Sequence, residues 1–206
     1  MATITLFISV VGLLALLKPY CSLADTNTRN PAVQKEIVDL HNDLRRAVQP
    51  PARDMLQMSW NREAAANAQK WANRCIPGHS PPDQRRIRTS GCGENLFMST
   101  NERPWTSAIQ SWHSEVKDYN YDSNRSLNGK VVGHYTQVVW ATSKEIGCGV
   151  AHCPNSVWKY IYVCQYCPPG NYIGEKPYKA GSRCADCPNN CQGGLCQSST
   201  GGTGIL

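Results

Sequence analysis

The sequence predicts an α/β layered domain, residues 25–168, followed by a small disulfide-rich module, residues 169–206. Three observations support this fold class. Apolar residues recur at helical spacing early in the large domain, and a segment dense in β-branched and aromatic residues follows late in it, close after a second segment that can pair with it as a strand. Near residue 168 the composition changes to Gly, Pro, Asn and Cys, with almost no aliphatic side chains. A segment of that composition builds no core of its own and depends on cross-links.

Residues 1–24 read as a signal peptide. The apolar run from Ile4 to Leu17 has 14 residues, whereas a membrane-spanning helix needs about 20. Small residues at Ser22 and Ala24 predict cleavage after Ala24. We therefore expect a secreted, extracellular protein that is not transmembrane.

Two helices are predicted at the start of the large domain, each with a capping asparagine. Asn30 and Pro31 precede the first, which Pro50 and Pro51 should stop. Its apolar positions recur at helical spacing: Val33, Ile37, Leu40, Leu44 and Val48. The second helix is the alanine-rich segment 61–75, led by Asn61.

A third helix and two strands complete the prediction. The helix covers residues 105–119, with a shared face of Ile109, Trp112, Val116 and Tyr119. Residues 158–167 alternate and are dense in aromatic and β-branched side chains, so they predict a strand, with residues 146–153 as its partner. Topology does not follow from these patterns.

Four ionisable residues stand beside glycines or aromatics rather than in charge runs: His79, Glu94, Glu115 and His134. Imidazole nitrogen and carboxylate oxygen are suitable zinc ligands, and the carboxylates could equally orient the imidazoles by hydrogen bonds. Spacing alone does not decide between these arrangements. Taken singly, each residue is more often a surface or core residue, and His134 could also be a catalytic base.

Ten cysteines remain once the predicted leader, which contains Cys21, is removed. An even number of cysteines in an exported chain indicates disulfides. The sequence alone does not give their pairing, because even eight cysteines already allow 105 pairings. The C-x-x-C pairs at 164 and 184 leave zinc knuckles or redox centres as alternatives.

The leader contains one basic residue, Lys18, so 20 basic and 15 acidic residues remain, a formal charge of +5. This charge permits acidic glycans or membranes as partners without requiring them. The basic segments 83–88 and 44–46 read as solvated faces, and no long basic block predicts a nucleic-acid partner. Asn124, Arg125 and Ser126 form a glycosylation sequon, for which an unmodified loop is the alternative.

Four motifs occur in a fixed order along the chain: "HNDLRRAV", "CGENLFMS", "GHYTQVVW" and "YVCQYCPPGNY". Together they resemble the signatures of the cysteine-rich secretory proteins (CRISPs) of the CAP superfamily, over residues 33 to about 196. The resemblance implies a CAP-type α-β-α sandwich with a small disulfide-rich hinge module. It also makes "HYTQVVW" a helix, where propensity predicts a strand.

The resemblance places His79, Glu94, Glu115 and His134 in one central cleft. It implies that the two histidines hold Zn²⁺ or another divalent metal, supported by Glu94 and Glu115. Whether signalling needs the metal stays open. The implied disulfides are Cys75–Cys153, Cys92–Cys167, Cys148–Cys164, Cys184–Cys191 and Cys187–Cys196.

Ordinary CRISPs carry a further domain of six cysteines that is associated with ion-channel regulation. This chain ends ten residues after Cys196, so we expect a truncated form, similar to the short CRISPs of amphibian egg jelly that attract sperm. The resemblance thus implies a non-enzymatic sperm chemoattractant that acts in fertilization through a cell-surface receptor on sperm; its oligomeric state stays open.

Three alternatives remain: a lipid-, sterol- or glycan-binding protein, a channel modulator, and a metal-dependent hydrolase. The hydrolase is the weakest of them, because the expected disulfides leave no free thiol and no serine lies in a G-x-S-x-G elbow.

Overall fold

The computed structural model of the chain describes residues 25–198, so the predicted signal peptide lies outside the described residues. The Ser-, Thr- and Gly-rich sequence of residues 198–206 predicts a loose tail, and nearly all of it also lies outside them. The helices of this part are α1 Pro31–Arg46, α2 Arg62–Ala72, α3 Trp105–His113 and α4 Gly133–Val138. The strands are β1 Ser59–Trp60, β2 Arg86–Ile87, β3 Ser90–Gly91, β4 Gly93–Ser99, β5 Tyr119–Asn120, β6 Arg125–Ser126, β7 Glu145–His152, β8 Tyr160–Cys167, β9 Cys191–Gln192 and β10 Leu195–Cys196. No helix among residues 25–198 is long and apolar enough to cross a membrane.

A four-stranded sheet in the order β1-β7-β8-β4 forms the middle layer of the large domain. The β7–β8 and β8–β4 pairs are antiparallel, whereas β1 pairs with β7 in parallel. Successive residues of β8 point to opposite faces. Ile161 and Val163 pack in the cluster that contains α2 residues, while Tyr162 and Tyr166 join the larger core with α1, α3 and α4. The layers are therefore α-β-α, as the resemblance to the CRISPs implies.

The first two helices begin where their capping residues predict. The Asn30 side chain accepts a hydrogen bond from the Ala32 backbone N–H, and the Asn61 side chain accepts one from Ala64 N–H. Each cap satisfies one of the backbone donors that a helix start leaves free. α4 is also helical, which confirms the family precedent over the strand propensity of its residues.

The third helix is shorter than predicted. α3 ends at His113, a 3-10 turn follows over Ser114–Asp118, and Tyr119 already belongs to β5. Val116 is 38% exposed and does not share the buried face of Ile109 and Trp112. The change to three residues per turn moves Val116 off the stripe that an α-helical period would extend.

Burial in the sheet also differs from the prediction. β8 begins at Tyr160 rather than at residue 158, and seven of its eight residues are buried without alternation. The reason is that helices cover both faces of this strand, so neither face is left to solvent. Strand β4, which carries the motif "CGENLFMS" and forms one edge of the sheet, was not among the predicted elements.

Arg45 corrects the prediction that residues 44–46 form a solvated face, because it is only 1% exposed. It follows the buried Ile37 and His41 at intervals of four on one face of α1. Its guanidinium donates five hydrogen bonds to backbone carbonyls: those of Leu56 (3.1 and 2.7 Å), Val138 (3.0 Å), Trp140 (2.7 Å) and Ala141 (3.0 Å). Burial lowers the pKa of Arg45 to about 9, which leaves it charged at neutral pH.

The segment after residue 168 packs onto the large domain. Tyr178 and Leu195 lie in the main core, and Leu195 is 1% exposed. Backbone hydrogen bonds join Arg53 N–H to the Lys179 carbonyl (2.9 Å) and Gln57 N–H to the Cys196 carbonyl (2.8 Å). The module therefore shares the hydrophobic core of its neighbour in addition to its own cross-links.

The structure contains the disulfides that the family resemblance implies. In the large domain they are Cys75–Cys153, Cys92–Cys167 and Cys148–Cys164, and in the module Cys184–Cys191 and Cys187–Cys196. In particular, Cys92–Cys167 joins the start of β4 to the end of β8. Glu94 therefore stands two residues from a covalent cross-link.

Candidate functional site

His134 and Glu115 form one pair at the start of α4. Glu115 Oε1 accepts a hydrogen bond from His134 Nδ1 at 2.7 Å. The other oxygen, Oε2, accepts from the backbone N–H groups of His134 (3.0 Å) and Tyr135 (3.1 Å). The residue that precedes the helix, Val132, makes no side-chain cap. Glu115 thus caps α4 from the 3-10 turn and fixes the imidazole at the same time.

His79 and Glu94 form the second pair, on edge strand β4. Glu94 Oε1 accepts from His79 Nδ1 (3.0 Å) and Ser80 N–H (2.8 Å), and Oε2 accepts from Ser80 Oγ (2.7 Å) and Gln165 Nε2 (3.2 Å). The Arg85 guanidinium lies 3.8 Å from Oε1. Burial by itself would raise the pKa of the Glu94 carboxyl, but the hydrogen bonds from His79, Ser80 and Gln165 together lower it below its ordinary value.

The two histidines have the same arrangement. An ionised carboxylate is only an acceptor, so each Nδ1 carries the proton and each Nε2 keeps a lone pair for a further ligand. The His79 side chain is 56% exposed and the His134 side chain is 30% exposed, so solvent reaches both. A histidine that donates one ring N–H to a carboxylate is the usual form of a zinc-binding histidine. The donor set therefore fits a divalent metal.

Asn95 connects the two pairs. It follows Glu94 in β4, and successive side chains of a strand point to opposite faces. The Asn95 side chain donates to the carbonyl of His134 (3.1 Å) on the face opposite to that of Glu94. The histidine–glutamate pairs thus flank the open edge of the sheet, one on each side of β4.

The carboxylates are hydrogen-bond partners of the imidazoles in this geometry. Among residues 25–198, one group of three potential metal ligands has its ligand atoms within 4.8 Å of one another: Cys184, Cys187 and Cys196. All three of these cysteines are in disulfides. The predicted four residues do not form such a set. A metal between the pairs would take its protein ligands from the two Nε2 atoms.

Four contributors to the site were missed from sequence: Ser80, Arg85, Asn95 and Gln165. Ser80 and Asn95 are direct neighbours of predicted residues, and Gln165 lies in the motif "YVCQYC". Gln165 pairs with Glu94 through the β4–β8 register, which no local pattern reveals. Its Oε1 is buried without a partner among the described residues.

Asn124, the predicted glycosylation position, uses its side-chain amide within the fold. Its Nδ2 donates to the Glu175 carbonyl (2.9 Å), and its Oδ1 accepts from the Tyr119 hydroxyl (2.8 Å). Its φ of +53° lies in the left-handed region that asparagine tolerates better than most residues. These contacts give Asn124 a turn-forming role, and a glycan there stays a prediction.

Comparisons with known proteins extend over most of the chain. The family model described as "CAP: Cysteine-rich secretory protein family" matches residues 38–166. Cysteine-rich secretory protein 2 of Cavia porcellus is 51% identical over 203 residues, 92% of this chain and 82% of that protein. Cysteine-rich secretory protein 3 of Homo sapiens is 54% identical over 180 residues, 86% of this chain and 72% of that protein.

Solved structures share the fold. The crystal structure of NaASP2 with Zn²⁺ has a TM-score of 0.70 and 31% identity, and it covers 84% of this chain and 99% of that one. The structure of BmVAL-1 has a TM-score of 0.68 and 32% identity, with 82% and 95% of the two chains covered. The likeness in fold therefore extends over more than four fifths of this chain.

Proposed function

The chain belongs to the cysteine-rich secretory protein (CAP) family, and from this premise we propose that it acts outside the cell as a non-enzymatic signalling protein. Its specific role is to attract sperm in gamete communication, through a cell-surface receptor on sperm. The attractant role is supported by the general resemblance of the sequence to allurin, a short CRISP of amphibian egg jelly.

The non-enzymatic part of the proposal rests on one observation: both carboxylates of the site already accept hydrogen bonds from the protein. Glu115 accepts three hydrogen bonds and Glu94 accepts four, all from the protein itself. A general base needs a free oxygen beside the substrate proton and a pKa near the working pH. The lowered pKa of Glu94 moves this group away from that range. The two carboxylates thus fix the orientation of the two imidazoles.

Zinc is the ligand that this site suits best, with His79 and His134 as its protein ligands and Glu94 and Glu115 as their hydrogen-bond partners. NaASP2, a structural relative, has been crystallised with Zn²⁺. A bound divalent ion would add positive charge to the edge of β4 and tie together its two sides. Since only neutral imidazole binds metal, affinity should fall in acid.

The disulfides stabilise the surface around the site against unfolding outside the cell. Cys75–Cys153 and Cys92–Cys167 span 78 and 75 residues of chain. In the chain-entropy description, loops of this length contribute about 4 kcal/mol each to stability. A diffusing signal that must present one fixed surface to a receptor needs such resistance to unfolding.

A sperm-migration assay tests the proposed function. Purified, disulfide-intact protein is placed in a gradient, and the same protein at uniform concentration serves as the control for a general effect on motility. We expect net migration up the gradient only. Unbiased swimming would remove the attractant role, and turnover of a peptide library that vanishes in Glu115→Gln would overturn the non-enzymatic assignment.

A further inference from the structure

A groove between α1 and α2 lies at the edge of the sheet opposite to the histidine–glutamate pairs, beside edge strand β1. We propose that it binds an extended acidic glycan, a sulfated or carboxylated polysaccharide chain. This inference does not depend on metal binding, because the groove uses none of the residues of the histidine–glutamate pairs.

The groove has the size and floor of a ligand site. Its volume is about 710 Å³. Trp60 of β1 and Ala65 and Ala66 of α2 provide apolar surface, and Pro31 at the start of α1 stands on the opposite wall. An indole ring offers a flat apolar area with an N–H at its edge, which suits a sugar ring that is apolar on its face and polar at its rim.

The charge of the groove has one sign. Arg29, Arg62 and Lys70 line it, and no aspartate or glutamate does. None of these three cations makes an ion pair with any residue between 25 and 198. The nearby Glu63 turns away, since its Oε2 accepts from the Arg88 backbone N–H at 2.7 Å. Three uncompensated cations in one concave surface select an anion.

The spacing of the cations favours a chain with several charges over an anion with a single charged group. Arg62, Ala66 and Lys70 follow one another at intervals of four on α2, so they form a stripe along one face. At 1.5 Å per residue, Arg62 and Lys70 are about 12 Å apart along the helix axis. A fatty acid has one carboxylate and would leave the second of these cations unpaired, whereas an acidic polysaccharide meets both.

The direction of the glycan follows from the adjoining cavity. A second cavity shares Arg29, Gln69 and Asn73 with the groove, but Asp25 and Glu102 line its far side. These carboxylates repel an anionic chain. The glycan should therefore run from Arg29 across the stripe of α2 to Arg62, and stop short of Glu102.

Isothermal titration of the disulfide-intact protein with a heparin hexasaccharide tests this inference, with the desulfated hexasaccharide as the ligand control. The variant Arg29→Ala, Arg62→Ala, Lys70→Ala should weaken binding at least roughly tenfold, since it removes three cations that hydrogen-bond to the anionic groups of the ligand. The slope of log K against log salt concentration should also become less negative, by somewhat less than one for each cation removed. Ala66→Glu, at an exposed position in the stripe, should have a similar effect without disturbing the fold.

The matched control is the variant Lys117→Ala, Arg125→Ala, Lys176→Ala. It removes three exposed side-chain cations that make no ion pair in the described part of the chain, so the net charge changes by the same amount. Affinity close to that of the unmodified protein supports the groove. Equal weakening in both triple variants would show a general charge effect, and binding of oleate but not of the hexasaccharide would show a lipid site; either result overturns the inference.

Discussion

His41 should make the stability of the protein depend on pH. The ring is fully buried in α1, its Nδ1 donates to the Ile37 carbonyl (2.8 Å), and its Nε2 lies 3.0 Å from the Tyr166 hydroxyl, from which it accepts. Desolvation by burial lowers the pKa of His41 to about 4, and the Arg45 cation adds to this effect. A second proton on Nε2 would also meet a hydroxyl that already points its hydrogen there. The folded protein therefore holds His41 neutral.

The size of this pH effect follows from the difference between the pKa of His41 in the unfolded chain and in the folded protein. In the unfolded chain the histidine takes up a proton near pH 6.5, whereas in the folded protein it does so only near pH 4. The stabilisation is therefore complete above about pH 6.5 and is lost as the pH falls to about 4. At 1.36 kcal/mol per unit the total is about 3 kcal/mol, a large share of a typical stability of 5–15 kcal/mol.

Urea unfolding of the unmodified protein and of His41→Gln, at pH 7 and pH 4.5 with the disulfides intact, measures this effect. A glutamine amide has a donor and an acceptor but takes up no proton. The contributions of all other titrating groups cancel in the comparison. We expect the unmodified protein to lose about 2.5 kcal/mol more than the variant between these pH values. Parallel stability profiles would refute the reasoning.

Three further substitutions test other parts of the structure. Glu115→Gln should weaken zinc binding about 10- to 100-fold in a competition titration, because the imidazole loses its anionic partner; unchanged affinity would mean that Glu115 only caps α4. Arg45→Met should cost at least about 3 kcal/mol in urea unfolding, because the five hydrogen bonds that Arg45 donates to backbone carbonyls are lost; a cost below about 1 kcal/mol would contradict its anchoring role. Leu195→Ala should cost about 2–5 kcal/mol, whereas Leu127→Ala, at a 63% exposed position, should change stability by less than about 0.5 kcal/mol. Equal effects of the two leucine substitutions would show that the module does not share the core.

Local signals predicted the elements that local chemistry determines. The capping asparagines marked the starts of α1 and α2, and β-branched and aromatic density marked β8, beside which β7 was predicted as the partner strand. The failures occurred where tertiary contacts decide. The sequence around Arg45 indicates a surface residue. In the structure Arg45 is buried, because the carbonyls of Val138, Trp140 and Ala141, which lie far along the chain, accept its hydrogen bonds. Strand β4 is short of β-branched residues and is held by its pairing with β8.

The site divides in the same way. His79, Glu94, Glu115 and His134 stand out in sequence because they are ionisable residues beside glycines and aromatics, but nothing local says which histidine meets which carboxylate. His79 and Glu94 are 15 residues apart, and Glu115 and His134 are 19 residues apart. Only the fold brings the members of each pair into contact. The support from Gln165 required knowledge of the strand register. The groove lined by Arg29 could not be seen from sequence, because its cations come from a loop and from a helix that lies more than 30 residues further along the chain.

Zinc titration with variants of the two histidines measures the central property of the site. The unmodified protein at pH 7.5 should bind one zinc ion per chain, and so should the control His152→Ala, which removes an exposed histidine at the end of β7. The double variant His79→Ala, His134→Ala should show no binding isotherm while its far-UV circular dichroism stays unchanged. A double variant that still binds one ion with the affinity of the unmodified protein would place the metal elsewhere and contradict this account.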